Sequence, residues 1–275
     1  MKSNETHNRK VTEKDDPIQR GDYLTEVLKP LDFGPVTWVQ ETGSTNSDLL
    51  EKSISEENEG MVIIADFQTS GRGRRERQWI AEADSSLLMS VLFRADSREM
   101  NLGVFSSGVA IAACEALDNL GFGRVRIKWP NDLVVLDNQK QAKLAGVLAQ
   151  SLISGGQASI VVGIGINVHP SNLGEVLTDR EIITLSNIGM APDRVLLAEK
   201  ILTFLAKLDF RDPNLWTKYR SFSATLGDLV RITTETGVIL GEAIDITGSG
   251  SLLVLDHNGK THEITVGDLV SLRPV

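Results

Sequence analysis

The spacing of apolar positions changes repeatedly along this chain, and each change marks an element. Residues 1–20 offer Lys, Glu, Asp, Asn and Thr with almost nothing to bury, and read as a disordered tail. From Asp22 to Leu31 the pattern fits a short amphipathic helix that stops before Pro35. Thr37 to Gln40 reads as a short strand. The polar turn Glu41 to Asn46 then leads into a helix with Leu49, Leu50 and Ile54 on one side and Ser44 or Thr45 as its cap. Met61 to Phe67 reads as a buried strand and Leu87 to Phe93 as another apolar strand. Asn101 to Leu120 fits a helix stopped by Gly121, with Cys114 inside it as a small packed side chain. Val125 to Lys128 alternates as a half-buried strand does. Leu133–Leu136 and Leu144–Ala149 flank the turn 137–140, predicting a hairpin; Leu152-Ile153, Gly155-Gly156 and Ile160–Val168 predict a second. Arg194 to Leu208 is a helix with Leu196, Leu197, Ile201, Leu205 and Leu208 inward.

After Ser221 the period shortens. Leu229–Ile232, Gly237–Ala243, Leu252–Leu255 and His262–Val266 are short strands between Gly and Asp turns, the pattern of a small all-β barrel. A boundary near Phe222–Leu226 divides the chain into the tail 1–20, a larger domain 21–224 and a C-terminal domain 225–275. Hairpins between helices, without strict βαβ alternation, make the larger part α+β with a mixed, mainly antiparallel sheet.

Composition narrows the class. The chain has 275 residues, 41% hydrophobic and 24% charged, enough for one large domain and a smaller one. No apolar run reaches the roughly 18–20 residues of a membrane span, and Met1 to Arg20 lacks the apolar stretch of a secretory signal, so the expectation is a cytoplasmic protein. Cys114 is the single cysteine, which excludes an internal disulfide and a thiolate metal cage; His7, His169, His257 and His262 are too scattered to suggest a metal by spacing. A net charge of -9 opposes general nucleic-acid binding.

Against that acidic background, Gln68-Thr69-Ser70-Gly71-Arg72-Gly73-Arg74-Arg75-Glu76-Arg77-Gln78-Trp79 stands out. Glycines let backbone N–H groups approach a ligand, and guanidinium groups grip phosphate or carboxylate in pairs. An exposed basic turn is the plainer reading, but like charges this dense repel unless an anion lies among them. The GK[ST] ending of a P-loop is missing. A second candidate is Lys128-Trp129-Pro130-Asn131-Asp132, where a strand end and a proline give Lys128 a defined direction, suited to a developing anion or simply to solvent. In Gly163-Ile164-Gly165-Ile166-Asn167-Val168, glycines in an apolar strand mean that something packs against the backbone, either a ligand or another strand. Ser44-Thr45-Asn46 taken alone is a helix cap, and Lys143 a basic residue beginning a strand.

In combination and in this order, these stretches, with Lys143 to Leu148, resemble the biotin protein ligases over roughly residues 36–275. The resemblance implies a class II synthetase-like catalytic domain with an SH3-like C-terminal barrel. It implies adenylation of biotin by ATP and Mg²⁺ to biotinyl-5′-AMP, then transfer to one lysine of a biotin carboxyl carrier protein or domain. It places Ser44, Thr45, Asn46, Gln68, Arg72, Gly73, Arg74 and Lys128 at biotin, with Arg72, Arg74 and Lys128 as the catalytic cations. It puts Arg74, Trp79, Asn131, Lys143 and Asn167 at the adenylate, Trp79 stacking on the adenine. Asp132 either orients Lys128 or meets Mg²⁺. The family usually has Gly at the position of Glu76, which bears on the loop's backbone. Its bifunctional members carry an N-terminal winged helix-turn-helix, for which 43 residues before Ser44 leave no room, so specific DNA binding is not expected. The nearest alternatives are a lipoyl or octanoyl transferase, which usually lacks the arginine loop and barrel, and a nucleic-acid-binding regulator, which the charge opposes. A monomer and a homodimer both remain open. If residues 1–20 are a tail, their removal leaves activity intact.

Overall fold

A computed structural model describes residues 11–55, 59–137, 140–171, 181–234, 237–265 and 267–272. The described elements begin with α1 (Pro17–Leu28), β1 (Val36–Thr42), α2 (Thr45–Ser55), β2 (Val62–Gln68), β3 (Ser86–Asp96), α3 (Leu102–Asn119) and β4 (Val125–Lys128). They continue with β5 (Asp132–Asp137), β6 (Lys140–Ser154), β7 (Gln157–Asn167), α4 (Leu185–Ile188), α5 (Arg194–Leu205) and α6 (Asn214–Phe222). The last are β8 (Leu229–Thr234), β9 (Gly237–Ile246), β10 (Leu252–Asp256), β11 (Thr261–Ile264) and β12 (Asp268–Ser271).

β1 to β7 form one sheet in the order β1-β2-β3-β7-β6-β5-β4. β1 and β2 run parallel because α2 carries the chain back between them. The other neighbours are antiparallel, joined where they are sequential by hairpins. The fold is therefore α+β with a mixed, mainly antiparallel sheet.

The two faces of this sheet differ in residue size. One face carries Leu87, Met89, Val91 and Phe93 of β3 and Ile160, Val162, Ile164 and Ile166 of β7, all in the main core that α3 and α5 cover. The other face meets α2 through a small cluster of Leu49, Met61, Ile63, Leu92 and Val161. Farther along that face the register pairs Ser90 with Gly163 and Leu88 with Gly165, and then Gly165 with Gly146 and Gly163 with Leu148. Alternation fixes all six on one side, so glycine and serine leave a depression where the opposite face is filled by Ile, Leu and Met.

Several expectations need correction. Residues 17–20 are helix, not tail: Pro17 sits in the first turn and Asp16 caps it, accepting a hydrogen bond from the Gln19 N–H. The polar residues masked a start signal that the Asp-Pro pair carried. Residues 1–10 of the expected tail lie outside the described residues, as do residues 138–139 of the first hairpin turn and Val266. Ile54 is exposed instead of packed beside Leu49. α5 ends at Leu205, three residues short of the expected Leu208. α4, α6 and β12 were not anticipated. α6 is short, with Leu215, Trp216 and Tyr219 as its buried residues. The C-terminal strands form a five-stranded antiparallel sheet, β11-β10-β9-β8-β12, with β12 supplying its fifth strand against β8. That sheet is tied to the larger one: Ala224 N donates to Ile127 O at 2.8 Å, and the Trp129 N–H donates to Thr225 Oγ1 at 2.9 Å.

The N-terminal helix is also held by charge. Arg20, 4% exposed, grips Asp66 with two bonds of 2.8 Å. The Trp38 indole N–H and Arg194 Nη1 donate to the same carboxylate at 2.9 and 3.0 Å, and Arg194 Nε reaches Glu13 at 3.3 Å. Burial alone would raise the Asp66 pKa, but the bonds from Arg20 and Trp38 and the charges of Arg194 and Arg20 outweigh it and hold the carboxyl below its ordinary value. Removing residues 1–20 would strip Arg20 and Glu13 from this network, so that truncation is expected to destabilise the protein.

Asp66→Asn is expected to lower unfolding stability by about 3–5 kcal/mol, because buried Arg20 loses its counter-charge and Arg194 keeps only Glu13 and Asp84 of its three carboxylates. A depressed carboxylate stabilises above its unfolded value, near pH 3.9, and that contribution is lost as pH falls through the lower folded value. The variant's stability should therefore fall less steeply below about pH 4. Urea titrations at pH 3 and pH 7 measure both effects; an unchanged midpoint at pH 7 would contradict the network's role.

Candidate active site

A cleft of about 1040 Å³ opens over the ends of β4, β5, β6 and β7. The loop 70–79 forms one wall, and it is folded back on itself. The Trp79 N–H donates to Gly71 O at 3.0 Å, the Gly73 N–H to Arg77 O at 2.7 Å, and Arg74–Glu76 make a single 3-10 turn. Within that turn Arg75 takes the left-handed conformation, φ 52°, which most side chains avoid. A Cβ on Gly71 would collide with the Trp79 carbonyl, so glycine is required where the loop closes.

The opposite wall is the turn after β4. Asn131 is locked onto β6 from both ends: its side-chain amide donates to Val147 O at 2.9 Å, and Val147 N donates to its backbone carbonyl at 2.8 Å. Its Oδ1 accepts from Arg74 Nη1 at 3.3 Å, which joins the two walls. Asp132 lies 2.7 Å from Lys143 Nζ. Lys128, at the last position of β4, lines the same cleft, as do Arg72, Gly73 and Asn167. The Asn167 amide reaches Ile183 O at 3.3 Å and ties β7 to the segment beside Lys143.

At the inner end the cleft narrows to a recess of about 40 Å³, the depression left by the glycines. Ser44, Thr45, Asn46 and Gln68 line it. Thr45 was expected as a possible helix cap, but its hydroxyl turns to Gln68 Oε1 at 3.0 Å and Ser90 at 2.7 Å. Trp79 sits between recess and cleft, lining both. A Cβ on Gly165 would stand 2.6 Å from Trp79 Cε2, and one on Gly146 3.2 Å from Cζ3, so the indole rests where those residues have no side chain. Lys143 Nζ lies 5.6 Å from the ring centroid, within cation–π range. The expected stacking partner of Trp79 was an adenine; here the ring packs on the β6–β7 backbone, and its buried Nε1 lacks a hydrogen-bond partner. The glycines of β7 thus face side chains, the Trp79 ring over Gly165 and the Asn46 amide over Gly163, and not another strand.

A family model described as the biotin/lipoate A/B protein ligase family matches residues 37–167, and one described as the biotin protein ligase C-terminal domain matches 225–272. A biotin–[acetyl-CoA-carboxylase] ligase of Mycobacterium tuberculosis is 35% identical over 246 residues, 86% of this chain and 88% of the relative. This chain belongs to the biotin protein ligase family. The bifunctional ligase/repressor BirA of Escherichia coli is 35% identical over 178 residues, 64% of this chain and 54% of the relative, so the match spans about half of that protein's length. The biotin protein ligase of Aquifex aeolicus, solved in complex with biotin and ATP, superposes with a TM-score of 0.72 at 28% identity, covering 87% of this chain and all of that one.

Every ligase residue singled out in the sequence falls in the cleft or the recess. Ser90, His169 and Glu181 were not anticipated. Ser90 carried a signal: one hydroxyl in the apolar run Leu87 to Phe93 must find a buried partner. His169 carried none, since its contacts, Ser186 at 3.2 Å and Glu13 at 3.8 Å, come from distant parts of the chain. Cys114 is 1% exposed and burial pushes its thiol up, away from any nucleophilic role.

Gly165→Val should expel the Trp79 ring from its seat and free the loop. Hydrogen exchange at residues 71–79 should then quicken while β3 and β7 remain protected. Unchanged exchange in the loop would mean that the indole does not hold it.

Proposed function

We propose that this protein activates biotin with ATP as biotinyl-5′-AMP and passes the biotinyl group to a lysine of a biotin carboxyl carrier domain, with the roles divided as follows. Ser44, Thr45 and Gln68 receive the ureido ring in the recess, and Asn46 supports them. Arg72, Arg74, Lys128 and Lys143 surround the place where the biotin carboxylate meets the α-phosphate. Asn131 and Asn167 hold the nucleotide side of the cleft, and Trp79 covers the intermediate once it leaves the recess. The observation that supports this reading is the convergence of six Arg and Lys side chains, Arg72, Arg74, Lys128 and Lys143 among them, with Asn131 and Asn167 on one cleft, beside a recess that Ser44, Thr45, Asn46, Gln68 and Arg72 line with hydrogen-bonding groups.

The chemistry follows from charge. A carboxylate oxygen attacks the α-phosphorus of ATP, a P–O bond breaks, and pyrophosphate leaves. Two anions must approach each other, so fixed cations lower the barrier where charge accumulates. In the second step the carrier's neutral amine attacks the acyl carbon of the mixed anhydride, and AMP leaves. Closure of the loop keeps water from competing for that carbon. No enzyme nucleophile is required, in keeping with the buried Cys114.

Among the described residues no group of three His, Cys, Asp or Glu side chains gathers to cage a metal. Asp132, a candidate for Mg²⁺, is paired with Lys143. In this reading the divalent ion arrives with ATP as part of the substrate, carried by its phosphates. No helix among the described residues is long and apolar enough to cross a membrane.

Purified protein with MgATP, labelled biotin and a carrier domain should label the carrier; lipoate transfer without biotin transfer would overturn the reading. Lys128→Ala should slow adenylation by about 2–4 kcal/mol of transition-state stabilisation, as deletion of other fixed electrostatic partners does, and leave folding little changed. A near-normal adenylation rate would remove Lys128 from the reaction.

A further inference from the structure

Lys128 is the last residue of β4, and β4 ends the order of strands in the large sheet. Its inner edge pairs with β5, where Lys128 stands opposite Asp132. Along its outer edge runs the segment that joins the two sheets of the molecule. Ser223 makes a parallel bridge with Ile127. The Ala224 N–H donates to Ile127 O at 2.8 Å, and the Trp129 N–H donates to Thr225 Oγ1 at 2.9 Å. These two bonds fall on the two peptide groups that flank Lys128. Each peptide is planar, so the lysine's two backbone torsions are free only as far as those planes can turn. Holding both planes fixes the direction of its Cα–Cβ bond. Ile127 and Trp129 are buried on either side of it, and alternation turns Lys128 the other way, into the cleft. The first bond is backbone to backbone, as in any ladder. In the second, a side-chain hydroxyl stands where a strand would offer a carbonyl.

We propose that Thr225 is a positioning residue for Lys128, aiming the lysine at the reacting atoms by holding the peptide that follows it. Thr225 is fully buried and does not line the cleft, so it acts only through that peptide. Its own place is set locally. The N–H groups of Thr225 and Leu226 both donate to Ser223 Oγ, at 3.1 and 3.2 Å, and the Asp228 N–H donates to Thr225 O at 3.2 Å. The Trp129 side chain is a second tether on the same residue: its Nε1 donates to Gly250 O at 3.1 Å, in the turn between β9 and β10. A Cβ on Gly250 would stand 2.9 Å from the Trp216 ring, so that turn is seated against α6 as well. The residue after Lys128 is thus gripped by both its backbone and its ring. A lysine is a point charge on a flexible four-carbon stem, and a fixed charge lowers a barrier only if it is already in place. Thr225→Val keeps the side chain's shape and leaves the buried Trp129 N–H without its acceptor. The peptide must then turn to find another, and the lysine turns with it.

This inference rests on the proposed adenylation of biotin, and the test separates the two claims. Biotin-dependent exchange of labelled pyrophosphate into MgATP is measured for the full chain, Thr225→Val, Lys128→Ala and the double variant. Thr225→Val should lower kcat for exchange about tenfold or more, since small misplacements of a reacting group are costly. Thr225→Ser, which restores the hydroxyl, should recover the rate. In the Lys128→Ala background Thr225→Val should change the rate by less than about twofold, because no lysine is left to aim. A merely structural role would slow both backgrounds by the same factor, and that result, or an unchanged kcat in the single variant, would overturn the proposal. Thermal unfolding verifies that the variants are folded. If Thr225→Val is not, Thr225→Cys, whose thiol is a poor acceptor, enters the same cycle and must show the same coupling. Should the unaltered protein exchange no pyrophosphate with biotin, the functional reading fails. Should it exchange and Lys128→Ala leave the rate unchanged, there is no catalytic lysine to aim and the proposal falls. If Lys128→Ala is slow and the two substitutions multiply, only the role of Thr225 fails.

Discussion

The site depends on a strip of sheet from which side chains have been removed. Gly146 on β6 and Gly163 and Gly165 on β7 lie on one face beside Leu88 and Ser90 of β3, in a sheet otherwise filled on both sides. Glycine weakens a strand, and here the weakening is carried by the opposite face, where fully buried Leu, Ile and Val side chains bind the same strands to α3 and α5. The vacated volume is taken by two functional groups, the Trp79 indole over Gly165 and Gly146 and the Asn46 amide over Gly163. A recess only as large as a water or so cannot admit a bicyclic ligand while Trp79 stays there. On the proposed function, loop position and ligand occupancy are therefore coupled by simple exclusion.

The cationic side of the cleft is assembled differently, by cross-bracing. Asn131 joins the turn after β4 to β6 and receives Arg74 from the loop, so one side chain links three segments. The C-terminal sheet steadies the same turn through Thr225 to Trp129 and through Trp129 Nε1 to Gly250 O at 3.1 Å. On the far side, Asp66 stands two residues before Gln68 on β2 and is gripped by arginines from α1 and α5. The floor of the recess is thus anchored by a buried charge network that also includes the N-terminal helix.

Much of this was legible in the sequence, because the motifs are local and their residue types are demanding. Arg72 to Trp79, Lys128 to Asp132 and Gly163 to Asn167 could be placed on or beside strands one by one, and their resemblance to the biotin protein ligases joined them in one expected anion-binding site. β2 and β3 were found because both their faces are buried and their runs mostly apolar, and β4 because its positions alternate. What was missed depends on contacts distant in sequence. Arg20 looked like part of a polar tail, since its partner Asp66 and its cover Trp38 come from other strands. The position of Trp79 needed the register of β6 against β7, which no spacing reveals. α6 hid its helical signal in too few turns, and β12 gained its partner only when β8 was in place.

A crystal structure of the protein with biotinyl-5′-AMP tests the central claim most directly. The ureido ring should lie against Thr45 and Gln68, with the Trp79 ring lifted from Gly165 and Gly146 and the phosphate among Arg72, Arg74, Lys128 and Lys143. A bound adenylate with Trp79 still seated on the two glycines, and the ureido ring elsewhere, would contradict it.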